Sequence, residues 1–498
     1  MTLTTPRLFT ALLSLGLVVS GWCTTYYVSP SGSDTNNGTS QGTAWQTIAR
    51  VNQVGSSLQA GDQVLFQSGG TYRGKLTISS SGTSAAKIVI GAYGTGAQPV
   101  ISGSVAVNSW TAYSGNIWRA PVAQAVKHVF VNGTLMTLAR YPNTGWLRVD
   151  QGTATSLTDA ALTQASGYWN GTTAVIRSTN WSYDTARVSA FSGSTLTHSS
   201  TGNNLGSMAW GYFMRNKLSE LDAAGEWFYD SAAGQLYLWC PANANPNSVL
   251  VEASVLDNGI YVNWQKQHIK IIGIALKHQY GPALYLSGST NLEATTCTIS
   301  DTYQAIRSTG STQNLNHLTI QRTFATAVYL MDNSTSFTFN TLTDIGMVPG
   351  LGENDWGYLG VRTTGNSMVI TDNVLQNIGY TGIFVQGNAL VERNVVRNAV
   401  AALNDGGGIH FDTADGMIIR NNIVQNISGN LESVATNYAS NVPIAHGIYF
   451  GNISIKNTLV KGNTVAGCLG NGINLDHTMV SVGNRIEDNV LFNNAIQL

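Results

Sequence analysis

Charge is what this chain has least of: 10% of its 498 residues are Asp, Glu, Lys or Arg, against about a quarter in soluble domains. Acids and bases nearly cancel, leaving a net charge of −1. Without a basic excess, the chain does not read as a nucleic-acid binder. Disorder is excluded as well, because 43% of the residues are apolar. Cysteine is scarce, at four residues. Cys240, Cys297 and Cys468 form no CxxC pair and read as small buried apolar residues, not as a disulfide framework or zinc site. No pattern calls for a metal or cofactor, and a calcium ion bridging coils is left open.

Long apolar runs are missing after the first twenty residues. Arg7 precedes an apolar run over residues 8–19, followed by Ser20-Gly21-Trp22-Cys23. The run is too short to span a bilayer and reads as an export signal over residues 1–23, cleaved after Cys23. A lipoprotein signal fits less well, since Trp22 stands where a small residue should precede the cysteine. The expectation is a secreted or periplasmic chain with no membrane span.

What the chain does have is repetition. Asn373, Asn394, Asn422, Asn463 and Asn489 each lead a short apolar strand, 21, 28, 41 and 26 residues apart. A second element keeps step: Gly382-Ile383-Phe384-Val385, Gly408-Ile409-His410-Phe411, Gly447-Ile448-Tyr449-Phe450 and Gly472-Ile473-Asn474-Leu475. Strands and turns repeating at a period of about 20 to 30 residues, without a helical pattern, specify a solenoid. Apolar residues two apart give each strand one inward face. The asparagine column fits a turn where stacked side-chain amides bond coil to coil. The fold class is all-β, a parallel β-helix.

Residues 24–120 read as a cap and first coils, with a short helix near residues 45–54 and strands at 63–67, 74–79 and 87–93. A helix there would cover the open end of the solenoid. Residues 121–250 break the period with Trp, Tyr and turn residues and read as a β-rich insertion. Residues 251–498 form the main solenoid, with insertions at 341–360 and 428–446. The last coil runs to Leu498 with no capping segment after it. The expectation is a truncated end, or one covered by other material.

If the isoleucines point inward, the outward column is Arg307, Tyr329, Arg362, Phe384, His410, Tyr449 and Asn474. A second outward column runs Thr364, Gln386, Asp412, Gly451, Asp476. The insertions flank these columns with Glu353, Asp355, Trp356 and Tyr358, and with Glu432 and His446. Aromatic platforms beside carboxylates suit sugars, which offer one apolar face and many hydroxyls. The densest cluster is Asn404-Asp405-Gly406-Gly407-Gly408-Ile409-His410-Phe411-Asp412. A glycine-rich turn with Asp405 bonding its own backbone is the plain structural alternative. At about 4.8 Å per coil, Asp412 and Asp476 stand about 9 to 10 Å apart, near the upper end of an inverting glycosidase pair. Asp405 with Glu432 is the candidate for a closer, retaining pair. His268, His278 and His317 read as structural. Asp372, Arg393, Arg420, Lys461 and Glu487 read as surface ion pairs.

Tyr27-Val28-Ser29-Pro30-Ser31-Gly32-Ser33-Asp34 resembles the start of many secreted right-handed β-helix proteins. Leu138-Ala139-Arg140-Tyr141-Pro142-Asn143 and residues 221–238 resemble the β-helical glycoside hydrolases acting on plant and pectic glycans. That group includes the fucosidase/xylanase family and β-xylosidase relatives. The resemblance implies a right-handed, pectate-lyase-like β-helix. It also implies a catalytic aspartate in an Asp-Gly-Gly-x-Ile-Tyr-like motif, matched by Asp405 with one extra glycine and His410 for the tyrosine. The partner acid belongs to a Gly-Ile-Tyr-Leu-Asp-like motif, where this chain has Gly451. Asp412 or Asp476 is then the candidate second acid.

The resulting expectation is a glycoside hydrolase acting on a plant or algal polysaccharide or oligosaccharide. Asp405, Asp412 and Asp476 are the catalytic candidates, and His410, Arg362, Tyr449, Trp356, Phe384, Glu432 and His446 the sugar-binding ones. A polysaccharide lyase using Arg307 and Arg362 to neutralise a uronate is the first alternative. A non-catalytic glycan-binding solenoid is the second.

Overall fold

The computed structural model describes residues 23–352, 354, 356–437 and 441–498. Nearly all of the stretch expected to be an export signal, together with Glu353 and Asp355, lies outside the described residues. The chain winds into coils of three short strands, and like strands stack into three parallel sheets of 12, 11 and 11 strands. Each coil contributes one Gly-Ile strand, then a strand such as Ile269–Ile272, then one such as Ala275–Lys277. Inward-facing Ile, Leu, Val and Phe of all three sheets merge into one buried core.

The expected asparagine column is present and longer by one residue. Asn340, Asn373, Asn394, Asn422, Asn463 and Asn489 stand in consecutive coils. Each of the first five donates from its backbone N–H and from Nδ2 to the next Oδ1, over 2.9 to 3.1 Å. The Nδ2 group also reaches a backbone carbonyl, as Asn394 does to Ile370 at 2.8 Å. Asn340, Asn373, Asn394, Asn422 and Asn463 are buried, so the bonds form where water cannot compete.

A helix at Ile48–Val54 covers the first coil and buries Ile48 and Val51. Thr47 caps it by accepting from the Arg50 N–H at 3.2 Å. The antiparallel insertion leaves the coils after the strand Val100–Ser102 and returns at Ile260–Val262. Its strands run from Ser104 to Ser254, so it starts before residue 121. The strands within residues 104–120 pair antiparallel, unlike those of the coils. Cys240, Cys297 and Cys468 are free and buried, and burial pushes the Cys297 thiol up to about 11. Among the described residues, no helix is long and apolar enough to cross a membrane.

Candidate active site

The register places Arg307, Tyr329, Arg362, Phe384, His410, Tyr449 and Asn474 in one column of the Gly-Ile sheet, in the expected order. The first three are half-buried, whereas Phe384, His410 and Tyr449 are covered. The loop that bears Trp356 helps to cover Phe384 and His410. Trp356 packs 4.8 Å from the Phe384 ring and 5.9 Å from that of His410. His410 in turn stacks on Tyr449, 4.3 Å between centroids and 10° from parallel.

The three glycines lie in the strand Gly406–Asp415 and not in a turn. A Cβ on Gly406 would meet the Tyr380 ring at 2.7 Å, and one on Gly408 would meet Val424 Cγ1 at 2.3 Å. Glycine is required here by close packing. The turn residue is Asp405, in the left-handed region at φ 60°. Tyr380 holds it by donating to the Asp405 carbonyl at 2.6 Å. Asn404 ties the same corner to the second loop, accepting from the Ile444 N–H at 2.8 Å and donating to the Val442 carbonyl at 3.1 Å.

The insertion braces this corner from behind. Arg177 is fully buried without a carboxylate and donates to the carbonyls of Thr179, Asn180, Ala402 and Asn430 and to the Tyr183 hydroxyl. Such a cation is tolerable only with this many acceptors. Neither Arg177 nor Tyr380 was singled out by sequence. The contacts that tie them to this corner, Tyr380 to Asp405 and Arg177 to Ala402 and Asn430, span 25, 225 and 253 residues, and no local pattern announces them.

Three carboxylates meet around the aromatic stack. The Tyr449 hydroxyl lies 3.4 Å from Asp405 Oδ1 and 3.3 Å from Asp476 Oδ2. These two carboxylates are therefore at most about 7 Å apart. Burial, reinforced by the Asp476 charge, raises the Asp405 carboxyl above its ordinary value, against the opposing pull of His410 and the Tyr449 hydrogen bond. Asp412 lies 3.1 Å from His410 Nε2, the separation of a ring N–H donating to a carboxylate. Asp476 is capped by His477, which was not expected, through its backbone N–H at 2.9 Å and its ring Nδ1 at 2.5 Å.

Gly451 explains how Asp412 fits. A Cβ at position 451 would lie 1.6 Å from Asp412 Oδ1. The Asp412 carboxyl thus leans over the next coil and occupies the space of a missing side chain.

His446 belongs to the cluster. It packs 4.8 Å from the Tyr449 ring and accepts from the Asn471 N–H at 3.0 Å, and burial pushes it down to about 4. Arg362 lies two coils from His410, with its guanidinium 4.6 Å over the Tyr329 ring. Glu432 is not brought to the carboxylates. It is exposed at the insertion, its backbone carbonyl accepting from Arg148, so the Asp405–Glu432 pairing does not form. The path of the 428–446 loop is set by contacts with the insertion, which spacing cannot reveal.

Comparisons with known proteins agree with this architecture. The family model of the right-handed β-helix region matches residues 355–498. The chain folds as a right-handed parallel β-helix. A sequence comparison with curated proteins finds no match. A solved glycoside hydrolase superposes with a TM-score of 0.65 at 13% identity, over 94% of this chain and 96% of its own. XylC in complex with xylose gives 0.46 at 14% identity, over 93% and 69%. An alginate lyase from Paenibacillus sp. str. FPU-7 gives 0.38 at 12% identity, over 91% and 96%. At these identities the likeness is one of fold.

Proposed function

We propose that this chain is an exported glycoside hydrolase, with Asp405 as the proton donor to the leaving oxygen. The observation that carries this reading is Asp405 itself, raised by burial and within about 7 Å of a second carboxylate across the Tyr449 hydroxyl. Two carboxyls in unlike environments are what acid–base cleavage of a glycosidic bond requires. Asp476 and Asp412 supply the second carboxylate, one joined through Tyr449 and the other oriented by His410. Either activates water or attacks the anomeric carbon. The upper bound on the Asp405–Asp476 separation spans the retaining range and the short end of the inverting one. Trp356 and Phe384 provide the apolar wall, and His446 lines its edge.

A specific observation favours a lyase as the second reading. Arg307 and Arg362 both lie over Tyr329, and neither has a carboxylate partner among the described residues. Such cations could neutralise a uronate. The exported chain is incubated with plant and algal polysaccharides, and reducing ends and near-ultraviolet absorbance are followed. Reducing ends without absorbance support the hydrolase, whereas rising absorbance moves the answer to a lyase. Absence of both products would refute an enzyme acting on these glycans. Mass measurement of the exported chain tests cleavage after Cys23.

A further inference from the structure

A cavity of about 1120 Å³ lies away from the carboxylates, and none of Asp405, Asp412 or Asp476 lines it. Its floor is the coil corners around Lys277, Tyr303 and Phe324, and its roof is the insertion around Lys127, His128 and Arg215. Residues 347–351 of the covering loop form one wall. The volume slightly exceeds that of ordinary small-molecule sites, about 300 to 1,000 Å³, and has room for more than one sugar ring.

Its charges do not cancel. Asp301 is already held by Arg322 through bonds of 2.7 and 2.9 Å, with Lys277 at 3.8 Å. Arg140 is committed to the Pro142 and Gly145 carbonyls and to the Phe213 ring. The Arg215 and Lys127 side chains make no hydrogen bond or ion pair among the described residues. Between them stands His128, 8% exposed, tilted against Phe324 at 4.6 Å, with Nδ1 unpartnered. Both cations act on His128, and burial with their charge pushes it down to about 3. Arg215 itself is pushed down to about 10 by burial. A desolvated cation without a counter-charge is costly, and an anion returns the lost solvation as charge-assisted hydrogen bonds.

We propose that this cavity is an accessory site for a carboxylated oligosaccharide. Arg215 and Lys127 hold the carboxylate, and His128 and the aromatic floor hold the ring. The site is separate from the hydrolase reading and stands if that reading fails.

The test is calorimetric titration of the full chain carrying Asp405→Asn, so that nothing is turned over, with trigalacturonate and with neutral galactotriose. Trigalacturonate is expected to bind, and Arg215→Ala to weaken it about tenfold or more. Lys127→Gln, at an exposed position where folding is not at stake, is expected to weaken it by a smaller factor. Arg187→Gln, at an exposed position of the insertion outside the cavity lining, is expected to leave it unchanged. Failure of trigalacturonate to bind, equal binding of galactotriose, or indifference to Arg215→Ala and Lys127→Gln would each overturn the proposal.

Discussion

Two columns of polar side chains run along this solenoid, and they behave in opposite ways. The asparagine column repeats one residue through six coils, and each amide finds its partners in the next coil and in the backbone. The outward column from Arg307 to Asn474, beside Asp405, changes residue at every step. It leaves His410 Nδ1 unpartnered, and gathers Asp405 and Asp476 at the Tyr449 hydroxyl and Asp412 at His410. Repetition marks groups that satisfy one another. Its failure marks groups held for something absent from the fold. Stability and chemistry are thus divided between two corners of the same coils.

The largest effect should come from Asp405. Asp405→Asn keeps the shape and removes the proton, so glycan turnover should fall about a thousandfold, as for loss of a general acid. Stability should not suffer. The folded carboxyl is raised, so its ionised form destabilises the fold above its ordinary pKa, and a neutral amide removes that penalty at pH 7. Measuring kcat beside a denaturant midpoint checks both halves.

Acid should weaken the same column. His446 sits at about 4 folded and 6.5 unfolded, so the unfolded chain takes up the proton first as pH falls. His446 should account for on the order of 3 kcal/mol of lost stability between pH 6.5 and 4, and His446→Gln should remove that share, leaving the share due to His128 and His278.

The asparagine column should respond inversely to Asp405. Asn394→Ala strands the Asn373 N–H and Nδ2 and the Ile370 carbonyl. Unfolding should be easier by about 2 to 3 kcal/mol, with specific activity of the folded fraction unchanged. A large loss of kcat without loss of stability would break the comparison.

Gly451→Ala should give the smallest effect. Its methyl group must displace the Asp412 carboxyl, which is the far end of a side chain and can rotate away. We expect activity to fall about tenfold with little change in the unfolding midpoint, read by the same two assays.

Much of this was legible in the sequence because coils repeat. Spacing gave the asparagine column, the Gly-Ile register and the order of outward residues, even across the two long insertions. The ion pairs of Arg393 with Asp372 and of Lys461 with Glu487 also follow from coil spacing. What was hidden depends on contacts between distant segments. The left-handed Asp405 is held by Tyr380, its corner is braced by Arg177, and Glu432 is drawn to the insertion by Arg148. Gly451 read as a missing acid, and only packing shows the Asp412 carboxyl filling its place.

The most direct test compares Asp405→Asn with the parent on the natural glycan and on an aryl glycoside whose leaving group needs no protonation. The account predicts a loss of about a thousandfold on the glycan and a far smaller one on the aryl glycoside. Equal losses on both, or wild-type turnover of the glycan, would contradict Asp405 as the proton donor.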